Sequence, residues 1–162
     1  NAAFLLPSTL TLEVTNAQLE SALNLNIKVP FLVTAAVIPA MREAGGGSVI
    51  NVGSINGVTG MAGAALYGAT KSAVHSLTKS WAAEFAGFGI RVNTVAPGPT
   101  AVEWSEPFHD VLEKMVSQVP SQRLSKPEEV AAVAVFLAGD DASHIHGATI
   151  PVDGGMSAVW SR

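Results

Sequence analysis

Apolar positions change period several times along the chain, and each change marks an element. From Thr15 the segment "TNAQLESALNLNIKVPFLVTAAVIPAMREAGGG" opens on a capping residue and carries Leu19, Leu23, Ile27 and Phe31 at helical spacing. It closes on Gly45, Gly46 and Gly47, a helix stop, so one long, bent helix is expected over 16–44. "SVINVG" at 48–53 is a β-branched run of the kind found in buried strands. A glycine-rich loop from Gly53 to Ala65 then precedes a helix over about 66–86, with Val74, Leu77, Trp81 and Phe85 on one stripe.

"IRVNTVAP" at 90–97 reads as a second strand that ends at proline, and the polar, acidic stretch 100–126 reads as a lid with one short helix near 108–118. "KPEEVAAVAVFLAG" has Pro127 in its first turn and Gly139 just past its end, which predicts a helix. "ATIPVDGG" supplies a third strand. Strands alternating with helices predict parallel strands joined by crossovers, an α/β layer fold in a single domain over 1–162.

Composition narrows the function classes. Charged residues are only 14% of the chain and hydrophobic ones 48%, so much of the surface is expected to be covered by other subunits or further chain. A net charge of −4 with no basic run excludes nucleic acid as a partner, and the absence of cysteine excludes disulfides and thiolate metal sites. No metal is expected at His75, His109, His144 or His146, whose spacing does not converge. Glu103, Glu106 and Asp110 read as a charged lid face. Pro30 and Pro39 interrupt the most apolar helical stretch, so no membrane span and a cytoplasmic protein are expected. The chain starts at Asn1 rather than methionine and reads as cut.

One pattern points to chemistry. In "YGATK" the single tyrosine, Tyr67, stands four residues before Lys71 at the head of a helix, so phenol and ammonium share a face. A helix that follows a strand begins near the carboxyl end of the sheet, where open α/β sheets bind ligands. A unit charge about 4 Å from the phenol, at an effective dielectric of about 20, is worth roughly 4 kcal/mol, which would draw a pKa near 10 toward neutrality. Ser54, directly after the first strand, is placed to hold a substrate oxygen. Pro30 has no N–H to offer the Asn26 carbonyl, leaving an acceptor free to hold a water. Gly53, Gly57, Gly60 and Gly63 with Glu84 imitate a dinucleotide fingerprint, but the loop is too long for a tight turn and Glu84 falls inside a helix.

Together "NIKVP", "INVGS", "YGATKSAV", "IRVNTVAPGP" and the final "VDGG" resemble the carboxyl-terminal two-thirds of a short-chain dehydrogenase/reductase. The resemblance implies a partial Rossmann-type, doubly wound sheet whose amino-terminal half is missing, and hydride transfer between NAD or NADP and a small carbonyl or secondary alcohol. It implies that Tyr67 exchanges a proton with the substrate oxygen and that Lys71 lowers its pKa and binds the nicotinamide ribose. Ser54 would orient the substrate and Asn26 would hold a water linking Lys71 to solvent. Tyr67 itself, with Pro97, Gly98 and Thr100, would contact the cofactor, while Val102 stands where the family often has threonine.

"NAA" at 1–3 resembles the end of the family's Asn-Asn-Ala-Gly segment, with Ala3 for glycine. The glycine-rich turn that holds the cofactor's phosphates in the family does not occur in this chain, so poor dinucleotide binding is expected of it alone. The edge of strand 48–53 is expected to lie open, and the two long helices to carry a homo-oligomer. A non-catalytic, self-associating remnant is the alternative reading. Met156 to Trp160 are open to three roles: core, subunit contact or substrate wall.

Overall fold

A computed structural model describes residues 3–5 and 7–159, without the side chains of 104, 106 and 107. The expectations placed on Asn1, Ala2, Glu106 and Trp160 fall outside what it describes. Strands β1 (Gly47–Val52), β2 (Ile90–Pro97) and β3 (Thr149–Val152) form one parallel sheet in the order β1-β2-β3. Gly47 stands opposite Ile90, and Thr94 opposite Thr149. The expected α/β layer fold is present, with helices on both faces of the sheet.

Alternation along β2 explains the two layers. Ile90 and Val92 point to one face, where they pack with Ile38 of helix α2 (Val29–Glu43) and with Trp81 and Ala82 of α3 (Ala65–Phe85). Val95 points to the other, against Leu137 of α5 (Pro127–Ala138) and Ala142. With both faces covered, β2 is apolar almost throughout, as a central parallel strand must be. Its polar members are paired internally. Thr94 shares a 2.7 Å hydrogen bond with Thr78, which accepts another from Asn51. Asn93 bonds the Ile145 carbonyl and the Ala148 amide, tying the loop before β3 to the sheet.

The long helix is bent as expected, and the bend has a defined form. Helix α1 (Asn16–Leu23), capped by Thr15, passes into a π-helical turn over Asn24–Lys28 before α2 begins. Pro30 lies just beyond the turn, and a wide turn of this kind accommodates a residue that can donate no helical hydrogen bond. Neither Pro30 nor Pro39 breaks the run, so Asn16–Glu43 is one helical stretch of 28 residues. By length and composition that stretch could cross a membrane, which corrects the expectation that its prolines rule this out.

Of the expected apolar stripe, Ile27 is half-buried and Phe31 rests against Trp81, and the rest faces outward. Leu19, Leu23 and Phe31 are 39%, 44% and 48% exposed, whereas Ala22, Asn26, Thr34 and Ile38 are the buried positions. Helix α3 keeps its expected stripe, with Val74 and Trp81 buried and Leu77 and Phe85 packed beside the core. Gly45 and Gly46 end α2 with positive φ, and a side chain at Gly46 would meet the Gly89 carbonyl oxygen at 2.8 Å. The lid holds the short helix α4 (His109–Val116).

Candidate active site

The site gathers where β1 and β2 end. Strand β1 stops at Val52, the chain turns at Gly53, and Ser54 opens a short 3-10 turn over Ile55–Gly57. The Ser54 hydroxyl accepts from the Asn56 amide at 3.2 Å and caps that turn, which fixes its direction. Helix α3 begins eleven residues later with Tyr67 in its first turn. A cleft of about 530 Å³ has Ser54, Tyr67, Lys71, Pro97, Gly98 and Thr100 on its walls, so six of the seven residues singled out from the sequence share one space. Val102 lines it too, at the place where a threonine hydroxyl was expected.

The seventh, Asn26, lies behind Lys71. It lines a smaller cavity of about 120 Å³ together with Pro30, Asn51 and Lys71. Its side chain is fully engaged: Oδ1 accepts from the Phe4 amide at 2.6 Å, and Nδ2 donates to the Phe4 carbonyl and to Thr70 Oγ1, both at 3.0 Å. Thr70 in turn donates to the Tyr67 carbonyl at 2.8 Å. Asn26 therefore joins the segment before α1 to the start of α3, a link that its sequence position does not disclose.

Electrostatics at the phenol differ from expectation. Burial pushes the Tyr67 pKa up, and the Ser54 hydroxyl pulls it only partly back. The expected lowering by Lys71 does not prevail. The lysine's Nζ lies 5.7 Å from the centre of the tyrosine ring and donates to the Val52 carbonyl at 2.9 Å, so its charge is directed to the strand end. Burial also lowers the pKa of Lys71 itself. In this form the site holds a protonated phenol beside a buried amine.

Pro97 ends β2, and the Gly98 amide donates to the Val152 carbonyl at 3.0 Å. A side chain at Gly98 would meet the Asp153 Cα at 2.8 Å, so glycine there lets two loops touch. The Thr100 hydroxyl donates to the Gly98 carbonyl at 3.0 Å, which turns it along the loop.

One feature escaped the sequence reading. His75 is buried, and its Nε2 accepts from the Ser54 amide at 3.4 Å, so the imidazole backs the serine. Its place four residues after Lys71 was the available signal, since i and i+4 share a helix face. Its pKa is lowered by burial and by the nearby Lys71 charge, which keeps the ring neutral and able to accept. Met156, for which three roles were open, packs beside Leu112 and Val116 and reaches the cleft region. Among the described residues no cluster of His, Asp or Glu can hold a metal ion, and His109, His144 and His146 are exposed. Glu103 and Asp110 are exposed on the lid, as expected of a charged face.

A nicotinamide cofactor fits these walls in part. The cleft is mostly apolar with one buried amine, suited to a flat ring and its ribose, and its walls include the tyrosine and lysine that would flank them.

Comparison with known proteins gives concordant matches. The family model described as enoyl-(acyl carrier protein) reductase matches residues 1–157. A 3-oxoacyl-(acyl-carrier-protein) reductase from Thermotoga maritima is 42% identical over 138 residues, 85% of this chain and 56% of that protein. A solved structure titled as a short chain dehydrogenase/reductase family protein superposes with a TM-score of 0.91 at 37% identity, over 98% of this chain and 66% of the other. ElxO with NADP bound superposes at 0.90 with 33% identity, over 96% of this chain and 64% of ElxO. The chain thus spans about three-fifths of the length of the proteins it matches.

Proposed function

Because the chain belongs to the short-chain dehydrogenase/reductase family and matches the carboxyl-terminal portion of its members, we propose that it is the catalytic part of an NAD(P)-dependent oxidoreductase acting on a carbonyl or secondary alcohol. The observation that carries this reading is the common cleft of Ser54, Tyr67 and Lys71. Tyr67 is the proton donor to the substrate oxygen in reduction. Its raised pKa keeps the phenol protonated through neutral pH, ready to act as an acid. Ser54, held by its turn and backed by His75, donates a hydrogen bond to the same oxygen.

Lys71, Pro97, Gly98 and Thr100 hold the nicotinamide end of the cofactor, which supplies the hydride when bound. Lys71 also exchanges protons with solvent: the 120 Å³ cavity between it and Asn26, with Asn51 on its wall, is large enough for ordered water. This is where the Asn26 water belongs. The exposed stripe of Leu19, Leu23 and Phe31 supports self-association through α1 and α2. Sedimentation velocity is expected to show a dimer or larger species, and a monomer at all concentrations would remove this part of the reading.

Alone, the chain is expected to bind dinucleotide weakly, because it has no glycine-rich turn for the phosphates. A tryptophan-fluorescence titration with NADPH and NADH checks this: saturation in the micromolar range would mark a complete cofactor site, and silence at millimolar would favour a non-catalytic remnant. For the reaction itself, cyclohexanone reduction is assayed with the amino-terminal portion supplied. Tyr67→Phe is expected to lower kcat/KM by about 10²- to 10⁴-fold. Reduction needs the phenol and should fall only at pH above about 10, whereas alcohol oxidation needs the phenolate and should climb with pH. Equal rates for Tyr67→Phe and the unaltered chain would dismiss Tyr67 as the acid.

A further inference from the structure

The cleft continues past Ser54 into a second cavity of about 380 Å³ that adds three methionines to its walls. Met61 comes from the loop before α3, Met115 from the lid helix α4, and Met156 from the turn after β3. Leu5 and Leu112 line the same space. The side-chain polar atoms on its lining come from Ser54, Asn56 and Thr59, and none of the described lining residues is charged. In the adjoining cleft the one charged group among the described lining residues is Lys71, already bonded to the Val52 carbonyl.

A carboxylate or phosphate on the substrate would therefore lose part of its hydration against these walls without meeting a counter-charge. A neutral one incurs no such cost. Methionine side chains are flexible and polarisable, so three of them converging from separate elements form a wall that adapts to differing hydrophobic shapes. At about 30 Å³ for each heavy atom with its hydrogens, a volume of this size holds roughly a dozen.

Building on the carbonyl reductase reading, we infer that the substrate is an uncharged, compact and largely hydrophobic ketone or secondary alcohol, and that Met61, Met115 and Met156 determine that preference. The oxygen lies at Ser54 and Tyr67 while the hydrocarbon body lies against the methionines. A charge placed on this wall should change the class of ligand accepted.

The test reads binding without turnover, so it stands apart from the Tyr67→Phe assay. The chain has four methionines. Met41, packed in the core between α2 and the sheet, serves as an internal control. With the methionine methyl groups labelled with ¹³C, cyclohexanone is expected to shift the resonances of Met61, Met115 and Met156 saturably and leave Met41 in place, while cyclohexanecarboxylate moves none of them. Met115→Lys, at an exposed lid position, is expected to tighten cyclohexanecarboxylate at least tenfold and weaken cyclohexanone. Met61→Lys, in the loop before α3, repeats the test on a different element. Equal shifts by the two ligands in the unaltered protein would overturn the exclusion of charge. Silence of all three methyl groups toward cyclohexanone would overturn the substrate class. Failure of both lysine variants to gain the carboxylate would overturn the role of the wall. Binding as expected together with full activity of Tyr67→Phe would leave the substrate class standing and remove the catalytic assignment.

Discussion

Gly53 stands between the end of β1 and Ser54, and the space beside it is already taken. A methyl group there would lie 2.2 Å from His75 Nε2 and 2.7 Å from Thr94 Cγ2. Gly53→Ala is thus expected to destabilise the fold by about 1–3 kcal/mol, as overpacking does, and to displace Ser54. A thermal or denaturant melt checks the first part, and unchanged stability would mean that the imidazole moves aside freely. At this scale the sequence disclosed what local spacing can carry. Tyr67 and Lys71 share a helix face, and Ser54 follows closely on a strand, so both were legible. The direction of the Tyr67 pKa was not, because it depends on burial by residues distant in sequence and on the Val52 carbonyl holding Lys71.

Among the elements, the π turn at Asn24–Lys28 does the most to shape the site. It aims Asn26 inward, where three hydrogen bonds join the Phe4 backbone to Thr70 at the head of α3. Asn26→Ala should cost about 1–3 kcal/mol, since it leaves the Phe4 amide and carbonyl without partners. Faster hydrogen exchange at Phe4 would locate the damage, and protection equal to the unaltered chain would contradict the link. Proline at 30 announced a bend, and the bend is there. Which face it turns inward was not readable: helical spacing put Leu19, Leu23, Ile27 and Phe31 on one stripe, yet Ala22 and Asn26 are the buried positions there. The small and polar side chains let this helix lie close to α3, where Phe31 rests on Trp81 at 5.7 Å between ring centres, while Leu19 and Leu23 are left outside.

For the whole molecule, three parallel strands with crossovers were legible from the alternation of β-branched runs and helical stripes, because parallel pairing follows from the connections alone. The meeting of Met61, Met115 and Met156 was not, since nothing local relates a loop, a lid helix and a turn after the last strand. The sheet keeps β1 at one edge with its outer side unpaired by the described strands. That strand also carries the Val52 carbonyl that holds Lys71, so this edge and the candidate cleft share a boundary. The central claim is that this assembly buries one phenol beside one serine hydroxyl. With a single tyrosine in the chain, tyrosinate absorbance in the near ultraviolet titrates Tyr67 alone. The expected midpoint lies above the ordinary value of about 10 and rises further in Ser54→Ala; a midpoint at the ordinary value, indifferent to that substitution, would contradict the shared site.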